Sequence, residues 1–379
     1  MDSPLSSQPG RYCALNDLTE VHALERGMDF RKPEYRREVF LRAYTFHLQY
    51  GTMPGCVYFL MPWLAKKHRW TWEQKLWFAF LNGNTQNPVT SWLIFREFPD
   101  LVNSSYREKC LAEWFNENYK RLEFDTDRRY HKKNFLQAVK QYAALTDGDT
   151  QGNYFLKAVG AGRDHHEGFR RLWAKQKDFY SFGRLSMFSY SEYLRIMGLN
   201  IDCDQLFLED LNGSKSHRNG LCKVLGRDDL DWHDSNPAFP GYSESVLGWL
   251  REEGAVLLGE ARDRLAREDF ARDIGYFTLE SQLCNFKSWF RPNRRYPNVY
   301  ADMLHGRIAR AEKAWGETLS LFWEARREAL PAHLRLENTP RDPGVHPSKQ
   351  NHYRLTGEVI MMDQEWPCFT NRYNQAVAP

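Results

Sequence analysis

The seven cysteines, at positions 13, 56, 110, 203, 222, 284 and 368, include no CxxC pair and are odd in number. This argues against a zinc module built on cysteine pairs and against a disulfide framework, and it fits a reducing compartment. Long apolar runs are also missing. The first thirty residues hold none of signal-peptide length, and no later segment approaches the roughly 18 residues of a membrane span. The expectation is a soluble, unexported protein of the cytoplasm. No GxSxG, HExxH, kinase or dinucleotide fingerprint is found, which removes the commonest enzyme readings. Neither sign of charge prevails: 52 Lys and Arg stand against 49 Asp and Glu. A net charge of +3 neither requires nor excludes a nucleic-acid partner. Internal repeats and low-complexity tracts are absent, and strand signals are scarce, with Tyr353 to Met362 the best candidate.

What is present is apolar and aromatic. At 379 residues and 42% hydrophobic content the chain can bury a sizeable core, and aromatics make up 15%. Many lie beside Arg or Lys, a mixture that suits core packing and also base stacking. Val39, Leu41, Tyr44 and Leu48 recur at helical spacing, and further helices are expected over 71–82, 88–98, 106–120, 134–145, 151–159, 166–178, 190–197 and 203–210. Val246 to Leu265 marks a longer amphipathic helix, and Met303 to Phe322 another. The fold class expected is therefore all-α. A flexible N-terminal segment (1–30) precedes a helical body (31–330) whose pattern allows two lobes meeting near residue 150. A proline-rich irregular tail (331–379) follows.

An uncharged polar plug, Asn82-Gly83-Asn84-Thr85-Gln86-Asn87, interrupts an apolar helical hairpin. Thr71 with Gln74 forms a capping box for the first helix, and Asn87 with Pro88 starts the second. The plug thus lies beside the positive end of a helix, where a phosphate or carboxylate is favoured.

Three further constellations carry chemistry. In Phe182-Gly183-Arg184 the glycine lets backbone approach a ligand while the guanidinium can grip phosphate with two donors, and Ser189 with Glu192 reads as another capping box. In the second, Ser214-Lys215-Ser216-His217-Arg218-Asn219-Gly220 gathers small residues and cations at a loop-to-helix turn, without a Walker pattern. Asp228, Asp229, Asp231, His233 and Asp234 follow, either as a Mg²⁺ site or as a helix-capping acidic loop. The third is a helix placing Glu280, Cys284 and Lys287 on one stripe, either a reactive site or an ion pair beside a buried thiol, with Arg291, Arg294, Arg295 and Tyr296 as an anion-binding rim.

The segment FAFLNGNTQNPVTSWLIFREFPDL resembles the helix, polar turn and helix that open the helix-hairpin-helix DNA glycosylases, although an LPGVG-type hairpin is absent and Gly160-Ala161-Gly162-Arg163 stands in its place. FGRLSMFSYSEYL, SHRNGLC with GRDDLDWH, and TLESQLCNFKSW followed by RRYP are similar to the alpha-glutamyl/putrescinyl thymine pyrophosphorylase family, the phage amino acid:DNA transferases. That resemblance spans roughly residues 35 to 320. It implies a glycosylase-like helical domain acting on double-stranded DNA, in the host cytoplasm if phage-encoded. The substrate would be 5-hydroxymethyluracil activated as its pyrophosphate ester, and an amine from an amino acid or polyamine would displace pyrophosphate. Asn82, Asn84, Thr85 and Asn87 would receive the everted base. Arg184, Lys215, Ser216, Arg218, Asn219, Arg294 and Arg295 would hold substrate and the departing diphosphate. Glu280, or His233, would take the amine's proton; Cys284 could add to the ring, with Lys287 beside it. A glycosylase-type hydrolase and a non-catalytic reader of modified DNA remain open as alternatives.

Overall fold

A computed structural model describes residues 32–53, 55–146, 149–160, 164–175, 178–208, 215–231, 241–265, 273–290 and 303–330, and the backbone of two short strands. The N-terminal segment (1–30) and, apart from those strands, the tail (331–379) lie outside the described residues. In chain order the helices are α1 (Pro33–Tyr50), α2 (Val57–Lys67), α3 (Trp72–Thr85), α4 (Pro88–Glu97), α5 (Ser105–Asn118), α6 (Arg128–His131), α7 (Phe135–Leu145) and α8 (Gln151–Val159). They continue as α9 (His165–Lys175), α10 (Arg184–Ile196), α11 (Lys215–Val224), α12 (Glu244–Leu265), α13 (Tyr276–Trp289), α14 (Met303–Trp315) and α15 (Ser320–Ala329). The strands β1 (Glu358–Ile360) and β2 (Cys368–Thr370) pair antiparallel, Val359 opposite Phe369, and β1 lies within the stretch that carries the sequence's best strand signal. The body is all-α, as its patterning dictates.

Local chemistry sets several helix ends. Thr71 Oγ1 accepts from the Gln74 amide at 3.2 Å and the Gln74 side chain accepts from the Thr71 amide at 3.0 Å, a reciprocal capping box. Asn87 Oδ1 accepts from the amides of Val89 and Thr90, with Pro88 at the first position of α4. Gly51 closes α1 in the left-handed region, at φ 62°.

Other expectations are corrected. The helix α3 does not stop at Asn82 but runs through Thr85, so most of the polar plug is its last turn. No helix forms over 203–208; Leu206 and Leu208 are buried, and the Phe207 and Leu208 carbonyls accept from side chains of His217 and Arg218 instead of from a helical ladder. Ser189 and Glu192 do not cap a helix, because α10 begins at Arg184 and encloses both; the Tyr58 hydroxyl donates to Glu192 at 2.7 Å. The stretch from Met303 to Phe322 is two helices, broken at Gly316 with φ 70°. α2 carries no clear period and holds Pro62, which hid it from pattern reading; Leu60, Met61 and Leu64 are buried within it.

The chain divides into two compact units. The first gathers residues 1–56, 205–306 and 326–379, the second residues 57–204 and 307–325. In the first, α1, α11, α12 and α13 bury Phe40, Tyr44, Leu250, Leu257, Leu283 and Phe286, with Phe40 and Phe286 edge to face at 5.6 Å. In the second, α3 packs on α10 and on α4, and Phe80 stacks on Tyr142 with centroids 3.8 Å apart. Aromatic burial on this scale removes on the order of 150–250 Å² per ring from water and dominates the stability of such a core.

Candidate functional site

Within the second unit the polar turn is an interior network. Asn82, Asn84 and Thr85 are 0% exposed and Asn87 is 1% exposed. The Ser91 hydroxyl donates to Asn82 Oδ1 at 3.1 Å and shares a 2.6 Å bond with Thr85 Oγ1. Gln86 closes α3 with φ 54°, and Arg307, paired with Asp125 at 2.7 Å, donates to its carbonyl. Arg128 ties this turn to the start of α10. Its Nε and Nη2 donate to the Asn84 carbonyl and Oδ1, its Nη1 to the Ser181 carbonyl and the Ser186 hydroxyl, and its guanidinium lies over the Phe182 ring. Burial holds the Arg128 pKa below the ordinary value, partly offset by Asp127. Beside it Gly183 caps α10 with no side chain, and a Cβ there would meet no described residue within 4 Å. Arg184, at the first position of α10, is half-exposed. Backbone amides at a helix start beside a cation can favour an anion.

Within the first unit the two helices α11 and α13 cross at backbone contact. A Cβ on Gly220 would lie 2.2 Å from the Leu283 carbonyl oxygen, so only glycine allows this approach. The crossing brings His217 of α11 against Glu280 of α13, with Nδ1 and Oε1 3.3 Å apart and side chains 1% and 2% exposed. His217 Nε2 lies 2.7 Å from the Phe207 carbonyl, which can only accept, so that nitrogen carries the proton. Cys284, one turn after Glu280 and half-buried, completes a group whose ligand atoms all lie within 4.8 Å of one another. Lys287 is buried with Nζ 3.5 Å from the Lys215 carbonyl.

The other residues singled out from the sequence are placed as follows. Arg218 is 0% exposed; it donates to the Leu208 carbonyl and lies over the Tyr242 ring. Asn219 is buried, Lys215 half-buried and Ser216 exposed. Asp228 is gripped by Arg36 through two bonds and by Lys223, Asp229 by Arg227, and Asp231 by Lys223. These pairs match each of the three described carboxylates of the acidic loop with a cation. His233, Asp234, Arg291, Arg294, Arg295 and Tyr296 lie outside the described residues. Sequence reasoning did not single out Arg128 or the pairing of His217 with Glu280. The Ser-Lys-Ser-His string was visible, but the partners of His217 and of Arg128 are too distant in sequence to be inferred.

The amino acid:DNA transferase family matches residues 58–295. The chain belongs to this family. It is also 30% identical over 355 residues to a serinyltransferase of Salmonella phage ViI, covering 89% of this chain and 84% of that protein. No solved structure matches the chain. Among the described residues, no helix is long and apolar enough to cross a membrane.

Proposed function

We propose that this protein transfers an amino acid onto an activated pyrimidine in DNA, displacing pyrophosphate from 5-pyrophosphoryloxymethyl-uracil. The observation that carries the reading is family membership over residues 58–295, which contain α3 to α13. The likeness to a serinyltransferase supports serine as the donor. In the reaction a donor nucleophile, the amine or in serine the hydroxyl, forms a bond to the exocyclic methylene carbon. The carbon–oxygen bond to pyrophosphate breaks, and the nucleophile's proton passes to a base. Arg184 suits the departing diphosphate, because it stands half-exposed where the start of α10 already favours anions. The base must leave the helical stack to react.

The test incubates the full chain with DNA carrying the pyrophosphorylated base and each of a panel of amino acids and polyamines, then digests to nucleosides for mass spectrometry. Pyrophosphate release that requires both DNA and serine is the expected result, and fragmentation of the product tells nitrogen from oxygen attachment. Abasic sites formed without any donor would support a hydrolase instead. An unchanged base with tight binding to modified DNA would support a reader.

A further inference from the structure

We propose that His217, Glu280 and Cys284 bind one zinc ion. The three donors are an imidazole, a carboxylate and a thiol, from two helices, with ligand atoms within 4.8 Å of one another. Zinc is the common ion that takes this mixture, whereas Mg²⁺ and Ca²⁺ prefer oxygen throughout. The 3.3 Å separation of His217 Nδ1 and Glu280 Oε1 is informative. A charge-assisted hydrogen bond between them would run about 2.7–2.9 Å. Two tetrahedral ligands each about 2.0–2.1 Å from an ion stand roughly 3.3 Å apart, which is the spacing found.

The surroundings prepare the ligands. The Phe207 carbonyl accepts a hydrogen bond from Nε2–H of His217 at 2.7 Å, which fixes the tautomer and turns Nδ1 toward Glu280. A backbone or carboxylate acceptor behind the ring is the usual device that orients a metal-binding histidine. Glu280 and Cys284 are four residues apart on α13, hence on one face. The Gly220 contact with Leu283 fixes the distance between α11 and α13, so the site rests on backbone rather than on loops.

Three protein ligands leave zinc a further position for water or a donor atom. This goes beyond the transferase reading, since binding needs only the three side chains. It also changes the chemistry available to that reading. A ligated Glu280 would be a poor base, and the ion would instead supply acidity to a donor atom bound at its open position.

The experiment strips the full-length protein with a chelator and titrates it with Co²⁺. One equivalent should bind with a thiolate-to-cobalt charge-transfer band, and Zn²⁺ should displace it. Cys284→Ser should abolish the band, while Cys222→Ser, at a buried cysteine on the same α11 as His217, should keep it. His217→Ala and Glu280→Gln should weaken Co²⁺ binding by more than the about 10- to 100-fold lost when only the group behind a ligand is removed. In the unaltered protein Zn²⁺ should slow alkylation of Cys284 but not of Cys110. Saturating Co²⁺ without the band, a band that survives Cys284→Ser, or unprotected Cys284 would overturn the zinc site. Amino-acid transfer by a chain that takes up no cobalt would remove the metal and leave the transferase reading intact. One bound cobalt with no transfer to any donor would do the reverse.

Discussion

Arg128 and Asn84 are joined twice, through the Asn84 carbonyl and through its side-chain oxygen, each at 3.1 Å. The other end of the same amide donates to the Phe80 carbonyl at 3.0 Å. An aspartate could satisfy the arginine but would turn an oxygen toward that carbonyl, so the site calls for an amide. Asn84→Ala should cost about 1.5–3 kcal/mol, the worth of a hydrogen bond to a charged group, in denaturant unfolding. Asn84→Asp should also destabilise at neutral pH despite the adjacent cation, and its deficit should shrink on acidification as the carboxyl gains a donor proton. A variant as stable as the parent at pH 7 would show that the Phe80 contact carries no weight.

Gly220 and Gly254 are both helical and buried, yet they predict different costs. A Cβ at Gly220 meets the Leu283 carbonyl at 2.2 Å, where two backbones would have to separate. At Gly254 it meets the end of the Leu206 side chain at 2.9 Å, which can rotate away. Gly220→Ala should therefore lower stability by at least the about 1–3 kcal/mol typical of overpacking. Gly254→Ala should cost less, helped by the better helix propensity of alanine. Chemical denaturation midpoints of the two variants decide the order.

Acid should act on the first unit in two successive windows. Burial pushes the His47 imidazole down to about 4, with Nδ1 3.0 Å from the Thr52 carbonyl. The unfolded chain takes up this proton near 6.5 and the folded one only near 4, so stability falls as pH drops between those values. Arg264 first, then Arg42, hold Glu38 down at about 2; its contribution is full above about 4.5 and is lost as pH falls toward 2. The His47 slope reaches about 1.4 kcal/mol per pH unit for one proton. His47→Asn should lower stability at pH 7 and flatten the loss between 6.5 and 4. An unchanged slope would assign that window to other groups.

Much of the helical body was legible because its signals are local. The Thr71–Gln74 box, the Asn87–Pro88 start and the periodic faces of α1 and α12 depend only on neighbours within a turn or two. What failed depended on distant partners. The spacing of apolar residues over 203–208 could not reveal that His217 and Arg218 would claim the carbonyls of Phe207 and Leu208, and the Ser189–Glu192 spacing is a capping pattern in sequence but an interior one in space. The stripe of Glu280 and Cys284 was readable from helical spacing, whereas His217 enters only through the glycine-permitted crossing at Gly220. The polar turn was visible as unusual, but its inward orientation follows from Ser91 and Arg128, which no short-range pattern links to it.

Arg184 and Arg218 should separate in their effects although both are cations near small residues. Arg218 is wholly buried, donates to the Leu208 carbonyl and lies 4.5 Å over the Tyr242 ring, so Arg218→Ala should act mainly on folding and lower the unfolding midpoint. Arg184 is half-exposed at the start of α10, with its guanidinium 5.5 Å over the Phe188 ring, so removing it takes away a charge and one ring contact rather than a buried element. If it meets the diphosphate as that group departs, Arg184→Ala should lower turnover about 10²- to 10³-fold, as loss of a transition-state donor does. Binding to unmodified duplex should change far less, because the developing charge is absent there. Single-turnover rates on activated DNA and equilibrium binding to plain DNA measure the two quantities. Equal losses in both assays would make Arg184 a grip on the DNA backbone and would move the search for the diphosphate partner to another cation.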